Sequence, residues 1–199
     1  MAVVVLLLVD QASKVWIKTS MQLYSSIEIT SWFKIYYTEN PGMAFGIQLI
    51  DTNILTIFRI AIVGAFGYFI VKLAKRGFKQ GFIICLSMIL AGALGNIIDC
   101  MFYGVIFDSS YGQIATLLPE GGGYSTFLHG KVVDMLYFPL IETTWAEWIP
   151  VWGGQDFVFF RPIFNIADSS ICVSVFILLI FYRRELSESF AKPKEENED

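Results

Sequence analysis

The sequence is poor in charged residues and in histidine, and these shortages exclude several classes of protein. Only 16% of its 199 residues are charged and 55% are hydrophobic, whereas roughly a quarter of a soluble domain is charged. A single histidine, His129, and the lack of an HExxH motif argue against zinc chemistry. Lys and Arg form no basic stripe, so no nucleic-acid partner is expected. The excess of apolar residues favours a protein that spans a membrane.

Cysteine and activated serine are also scarce. Three cysteines, Cys85, Cys100 and Cys172, are an odd number, and two lie within apolar runs. We interpret them as small buried apolar residues, not as a disulfide framework or a metal site. No GxSxG elbow is present, and Ser169 and Ser170 have no histidine near them in the sequence. We therefore expect neither a metal nor another cofactor.

Four apolar segments approach the roughly 20 residues that a helix needs to cross the hydrocarbon core. They cover residues 1–18, 52–74, 81–98 and 164–182. The first is barely long enough, as if its start were trimmed, and it lacks the basic start and the cleavage site of a signal peptide. We predict an all-α membrane protein with four transmembrane helices in one domain, residues 1–182. A disordered cytoplasmic tail should follow, residues 183–199.

The placement of Lys and Arg predicts the orientation of these spans. Basic residues cluster after the second span and at the end of the fourth, namely Lys75, Arg76, Lys79, Arg183 and Arg184. The region between the third and fourth spans is mainly acidic. The positive-inside rule then places both termini in the cytoplasm and the long loops 19–51 and 99–163 outside.

The two outer loops are predicted to be ordered. The first contains IEITSWFKIYYTENPGMAFGI, whose β-branched and aromatic residues surround a Pro-Gly turn. This pattern predicts a small β-sheet on the outer face. The second loop is rich in Gly, Trp and Phe, and its aromatic residues suit the lipid headgroup region.

Several ionisable or polar residues lie in segments that ought to be apolar. Asp10 and Lys14 share a helix face in the first span, either as a structural ion pair or as support for an outer-face site. Arg59 in the second span is interpreted as an anchor that reaches the membrane surface rather than as a substrate contact. Asn96 and Asp99 close the third span, either as a polar helix end or as part of a polar pocket.

Asp134 and Asp168 are the candidates for chemistry. Taken alone, Asp134 in GKVVDMLYF reads as a loop acid, and Asp168 in FNIADSSI reads as a helix cap. The predicted topology places both on the outer side, where two carboxylates in a poorly hydrated cleft would share one proton. One can then polarise a carbonyl while the other activates water.

Two other functional classes compete with this interpretation. A small proton-coupled membrane transporter would use such acids, but it would spread them through the depth of the bilayer and usually contain repeats. The sequence contains no internal repeat. A non-catalytic membrane scaffold would need none of these polar residues.

The chain resembles lipoprotein signal peptidase, the bacterial signal peptidase II family, through five segments in order: VDQASKVWIK, TENPGMAFGI, AGALGNIID, KVVDM and FNIADSSI. The resemblance implies an aspartic endopeptidase whose catalytic aspartates are Asp134 and Asp168. It also implies a set of substrate-binding or supporting residues: Asp10, Lys14, Asn40, Gly42, Asn96, Asp99, Asn165 and Ala167.

The resemblance further implies a substrate and a location. The substrate would be a prolipoprotein carrying a diacylglyceryl group, cut just before the lipid-bearing Cys, and the peptide globomycin would inhibit the reaction. The enzyme would act as a monomer, in contact with lipid, in the bacterial inner membrane with its active site at the outer face. One departure concerns Cys100, which stands where the family has Arg; Arg59 or Arg161 could replace that guanidinium. The outer loops 99–133 and 137–162 are longer than usual.

Overall fold

A computed structural model describes residues 2–41 and 52–191 as a helical bundle with small antiparallel sheets at one end. The helices are α1 (Ala2–Ser20), α2 (Thr52–Lys75), α3 (Gln80–Ile98), α4 (Gly104–Ile106), α5 (Ile166–Phe181) and α6 (Arg183–Phe190). The strands are β1 (Ser26–Thr30), β2 (Phe33–Asn40), β3 (Val132–Tyr137), β4 (Ile141–Thr144), β5 (Asp156–Phe159) and β6 (Ile163–Phe164).

The helices account for two of the four predicted spans outright. Ile54–Lys75 and Gln80–Ile106 are long and apolar enough to cross a membrane. Helices α5 and α6 add a third if they count as one span, bent by 93° between them. The prediction of membrane spans is therefore confirmed for two helices and up to three, among the residues that the structure describes.

Helix α1 does not pass the same test of composition because it carries three charged residues. Asp10, Lys14 and Lys18 are all buried inside the protein. The opposite side of the helix presents apolar side chains such as Val5 and Leu8, which are more than half exposed. The charges of α1 therefore point at the other helices, and its outward surface is apolar like that of a lipid-facing helix.

The third helix is longer than the sequence predicted. We expected it to end at Ile98 with Asp99 outside it, but the helix continues through a π-helical turn, Asp99–Tyr103, into α4. Such turns are frequent at functional sites. Asp99 is consequently held inside the protein with no exposed surface, a position that an acid tolerates only with charged or hydrogen-bonding partners.

A four-stranded sheet covers one end of the helices, in the strand order β1-β2-β3-β6 and with antiparallel neighbours. The sheet predicted for the first loop is thus confirmed. The second loop supplies its other half, because β3 carries Asp134 opposite Thr38 of β2. Asp134 therefore lies on an inner strand and not in a loop.

Helices α3 and α5 approach each other closely where the sequence has small residues. A Cβ atom added at Gly92 would lie 2.5 Å from the carbonyl oxygen of Ala167, and one added at Gly95 would lie 2.6 Å from Asp10 Oδ2. Only glycine permits this approach. The polar side chains at the ends of α3 and α5 are thereby brought within hydrogen-bonding distance.

Two findings differ from the sequence predictions outside the site. The first part of the tail is not disordered, because α6 packs Leu186 against the apolar cluster of α2, α3 and α5. Phe190 of α6 also stacks on Phe69 at 5.9 Å. Residues 192–199 lie outside the described part. Of the cysteines, Cys85 and Cys100 are buried as predicted, but Cys172 is exposed on α5.

Candidate active site

Asp134 lies near the centre of the sheet and faces the helices. Strand β3 is paired on both sides, with β2 and β6, so its position is fixed. Its carboxylate is only 5% exposed, and Oδ1 accepts a 2.7 Å hydrogen bond from Nδ2 of Asn165. Since Asn165 is itself fully buried, this contact holds the Asp134 side chain in one orientation.

Asp168 is positioned by the start of α5. Asn165 is the N-cap of that helix, and its Oδ1 accepts a 2.9 Å hydrogen bond from the backbone N–H of Asp168. Asn165 therefore caps the helix with its oxygen and contacts Asp134 with its nitrogen. The ordinary capping role considered for Asp168 belongs to Asn165, so the Asp168 carboxylate is available for other contacts.

Asn96 on α3 completes the link between the two acids. Its Nδ2 donates to Asp168 Oδ1 at 2.8 Å, and its Oδ1 accepts from Asn165 Nδ2 at 3.1 Å. Asp134 and Asp168, which are 34 positions apart in the sequence, thus contact the same pair of asparagines. The structure brings these four predicted residues together in one network.

A buried charged cluster supports this network from below. Nζ of Lys14 contacts Asp10 Oδ2 at 2.9 Å and Asp99 Oδ2 at 2.8 Å, and all three side chains are almost completely inaccessible. The same Nζ donates to Asn96 Oδ1 at 2.8 Å. The Asp10–Lys14 pair is therefore both a structural ion pair and a support for the site, two roles that the sequence left as alternatives.

The cluster also holds the start of α5. Oδ1 of Asp10 accepts a 2.9 Å hydrogen bond from the backbone N–H of Ala167, which explains the place of Ala167 in the motif. Gln11 was quoted in the first motif but not chosen as a supporting residue. Its Nε2 donates to Asp99 Oδ1 at 2.8 Å. The hydrogen-bonding capacity of Gln11, one residue from Asp10, was the signal that could have identified it.

The two aspartates line a cavity of about 470 Å³ between the sheet, α2, α3 and the start of α5. Its polar wall is formed by Asn40, Arg59, Asn96, Asp134 and Asp168. Apolar side chains line the rest, among them Ile62, Val63, Ala93 and Ile97. A cavity of this size and mixed polarity can bind a peptide next to an apolar group. Gly42, the remaining predicted residue, lies outside the described part of the chain.

Arg59 is part of the cavity wall, contrary to its interpretation as a surface anchor. Its Nη1 lies 3.9 Å from the Sγ of Cys100, whereas Arg161 is an exposed residue between β5 and β6. Of the two candidate replacements for the missing guanidinium, Arg59 is therefore the one beside Cys100. The signal for this role was its charge within an apolar span, which also fits an anchor.

Burial makes Asp134 difficult to ionise. Removal from water, together with the nearby charge of Asp168, raises the pKa of Asp134 from its ordinary value to about 7, against a smaller lowering by the hydrogen bond from Asn165. Asp134 therefore tends to hold a proton near neutral pH. A protonated acid beside a second carboxylate is the arrangement needed for paired acid–base chemistry.

A second buried polar group orients the sheet over the helices. Lys18 at the end of α1 is paired with Glu39 of β2 and donates to Ser110 Oγ at 2.8 Å. Tyr37 Oη also contacts Glu39 Oε1, at 2.7 Å. These contacts fix β2, and with it β3 and Asp134, relative to α1. Sequence reasoning did not single out this group because its members are distant along the chain.

Comparison with known proteins decides the family. A model of the family described as signal peptidase (SPase) II matches residues 2–183, which is nearly the whole chain. The chain belongs to the signal peptidase II family. The resemblance predicted from the five sequence segments is thereby confirmed, and the protein is a peptidase by family.

Relatives of this signal peptidase II family member agree with the assignment. A lipoprotein signal peptidase of Porphyromonas gingivalis is 53% identical over 186 residues, covering 93% of this chain and 82% of its own. One from Amoebophilus asiaticus is 36% identical and covers 92% and 77%. A solved structure described as a bacterial membrane enzyme, determined by the in meso method, has a TM-score of 0.61 and 26% identity. It covers 96% of this chain and 91% of its own.

Proposed function

We propose that this chain is an aspartic endopeptidase that cuts diacylglyceryl-modified prolipoproteins just before the lipid-bearing Cys, using Asp134 and Asp168. As a signal peptidase II family member, it removes signal peptides from prolipoproteins. The observation that carries the aspartic mechanism is the joint position of the two carboxylates. Both line one cavity and are connected through Asn96 and Asn165.

The reaction follows from the unequal environments of the two acids. Asp134 begins protonated and donates to the oxygen of the scissile carbonyl, while Asp168 begins ionised and takes a proton from the attacking water. The water oxygen bonds to the carbonyl carbon and gives a neutral gem-diol. The carbon–nitrogen bond then breaks, the amine takes the proton from Asp168, and a gem-diol hydroxyl returns its proton to Asp134. The pair ends as it began, with no covalent intermediate.

The mixed lining of the cavity supports a lipid-bearing substrate. Asn40 and Arg59 offer hydrogen-bonding groups to a peptide backbone, and the apolar side chains of Ile62 and Val63 on α2 offer a surface for acyl chains. Entry from the membrane side would keep the acyl chains in lipid while the peptide reaches the acids. The competing transporter hypothesis gains no support, because the described acids of the site form one cluster at the ends of the helices.

The proposed topology has four spans, with α1 as the first and α5 as the fourth. The inward position of the charges on α1 supports its crossing. The basic residues of the α2–α3 link and of α6 support cytoplasmic termini under the positive-inside rule. The active site would then face the outside of the bacterial inner membrane, in a protein that acts as a monomer.

Purified protein is expected to convert a diacylglyceryl-modified prolipoprotein into two products, and globomycin is expected to block this conversion. A gel-shift assay measures cleavage, and the mass of the larger product locates the cut. The same prolipoprotein without the diacylglyceryl group serves as the matched control and should be cut much more slowly. Equal cleavage of both forms, or a cut away from the Cys, would overturn the proposed substrate.

The pH dependence of cleavage should report the proton on Asp134. Because the pKa of Asp134 is raised to about 7, the protonated form is lost as the pH rises through that value. We expect kcat/KM to fall by about tenfold per unit above it, since the general acid is then removed. The pair titrates with two apparent pKa values, so the rate should also fall at low pH when both acids are protonated. A rate that stays constant well above neutral pH would contradict the assigned roles.

A further inference from the structure

An aromatic hairpin projects from the sheet at the side of the site. We define it as residues 140–160; it consists of β4, β5 and the tip between them. Strands β4 and β5 pair with each other from Ile141–Phe159 to Thr144–Asp156. They form a separate two-stranded sheet. A hairpin of this kind is marginally stable by itself in water, so its surroundings matter to its order.

The tip of the aromatic hairpin has its own packing and hydrogen bonds. The ring of Trp145 lies 4.8 Å from that of Phe157 and 6.2 Å from that of Trp152. The backbone N–H of Trp145 donates to the carbonyl of Gln155 at 2.9 Å. These contacts hold the tip in one shape, which presents the side chains between them in fixed directions.

The outward surface of the hairpin is unusually apolar. Trp148 is 82% exposed and Val151 is 83% exposed. Other large apolar side chains with at least two fifths of their surface exposed are Leu140, Ile141, Trp152, Phe159 and Phe160. Exposed apolar patches of this kind mark interaction surfaces, because a solvated hairpin gains nothing from them.

The backbone conformation at two of these residues strengthens the argument. Val151 has φ 75° and Phe160 has φ 63°. Left-handed backbone is a genuine outlier for a β-branched or bulky residue and favours Gly or Asn. Local folding therefore does not explain valine at position 151, where the side chain is strained and also exposed. An apolar partner would explain both properties.

The position of the hairpin in the chain identifies this partner as the membrane. The ring of Phe160 meets that of Phe164 edge-on at 6.0 Å, and Phe164 ends β6 two residues before α5 begins. The base of the hairpin is therefore next to the end of a helix that we place in the membrane. Trp and Phe are the side chains that accumulate at the membrane–water interface.

The charge of the hairpin indicates the type of contact. Residues 140–160 include three acids, Glu142, Glu147 and Asp156, and neither Lys nor Arg. Anionic lipid headgroups would repel this segment. The contact must therefore come from insertion of apolar side chains, and not from electrostatic attraction.

We propose that the tip of the aromatic hairpin, at Trp148, Val151 and Trp152, inserts into the outer leaflet of the membrane that the helices span. The inference rests on the proposed topology. Its two ends join β3 and β6, neighbours in the sheet. Strand β3 carries Asp134, and β6 leads to Asn165. Anchoring the hairpin in lipid therefore holds both parts of the site at the depth at which the acyl chains of the substrate lie.

Fluorine NMR on 5-fluorotryptophan-labelled protein tests this contact in phosphatidylcholine nanodiscs. The chain has five tryptophans, and Trp148→Phe assigns the resonance of Trp148. A nitroxide on the lipid chains near the headgroup should broaden that resonance at least about twofold more than that of Trp145. A water-soluble gadolinium chelate should affect it little, and adding phosphatidylglycerol should not increase the lipid effect.

Two matched variants separate lipid contact from a structural role. Val151→Asn relieves the left-handed strain and preserves the hairpin, so it should reduce the lipid broadening at Trp148 by removing an apolar contact. Ile27→Asn makes the same kind of change at an exposed residue of β1 and should leave that broadening unchanged. Broadening of Trp148 by the aqueous chelate, by neither agent, or equally in both variants would overturn the proposal. Cleavage measured on the same nanodiscs keeps this outcome separate from the proposed function.

Discussion

Replacing Asp134 or Asp168 by asparagine should lower prolipoprotein cleavage by a factor of about 10² to 10⁴, the range that acid–base catalysis contributes. Asparagine has the same shape, but it can neither lose the proton that Asp134 must donate nor accept the proton that Asp168 must take. In the Asp168→Asn variant, the oxygen of the new amide still accepts the 2.8 Å hydrogen bond that Asn96 donates to the carboxylate. The network around the site should therefore survive both substitutions.

The measurement is the initial rate of cleavage by each purified variant, with thermal unfolding in detergent as the test of folding. Asp156→Asn is the matched control, since Asp156 is an exposed acid in the aromatic hairpin and should not change the rate appreciably. Asp134→Asn should also gain stability relative to the wild-type protein as the pH rises through about 7. The pKa of Asp134 is raised by burial, so the folded protein binds the proton more tightly, and stability present at low pH is lost when this acid ionises.

Lys14→Met should destabilise the protein by about 3 to 5 kcal/mol, the cost of removing one partner from a buried ion pair. Methionine has a similar length, so the loss is mainly electrostatic. The change would leave the carboxylates of Asp10 and Asp99 buried without the ammonium that lies 2.9 and 2.8 Å from them. It would also remove the donor to Asn96 Oδ1, so cleavage should fall along with stability.

Thermal unfolding in detergent measures this loss, and Lys79→Met is the matched control. Lys79 also pairs with an acid, Glu185, at 2.5 Å, but its side chain is 74% exposed, and exposed pairs contribute little. Adding Asp10→Asn and Asp99→Asn to Lys14→Met should restore part of the stability, because the uncompensated charges are then gone. Equal melting temperatures for the Lys14 and Lys79 variants would show that the buried cluster does not support the fold.

The helices and the candidate acids were predictable from local sequence. Apolar runs identified α2, α3 and α5 to within about two residues at most ends, and the motifs identified the residues of the polar network. The alternation of β-branched and aromatic residues identified the sheet of the first loop. These features depend on residues that are near one another in the chain.

The features that were missed depend on partners far away in the sequence. Helix α3 continues past Asp99 because Lys14, 85 positions earlier, neutralises that acid inside the protein. Asp134 lies on an inner strand because β2 and β6 pair with β3. Arg59 has a charge that fits a surface anchor or a cavity wall equally well, and only the packing of α2 on α3 places it beside Cys100.

The same distinction explains the tail and the second outer loop. The polar composition of residues 183–190 suggests disorder, but Leu186 and Phe190 lie on one side of α6 and dock on the bundle. Nothing local in the sequence indicates that this docking surface exists. The aromatic residues of the second loop suggested an interfacial segment, and the structure adds the hairpin that presents them.

The central claim is that Asp134 and Asp168 act as one catalytic unit. Single-turnover cleavage of a diacylglyceryl-modified prolipoprotein by the wild-type protein, the two single asparagine variants and the double variant tests it most directly. Residues that act together are non-additive, so the account predicts that each single variant loses about as much rate as the double variant. Losses in the single variants that multiply to give the double, or a double variant that cleaves at the wild-type rate, would contradict it.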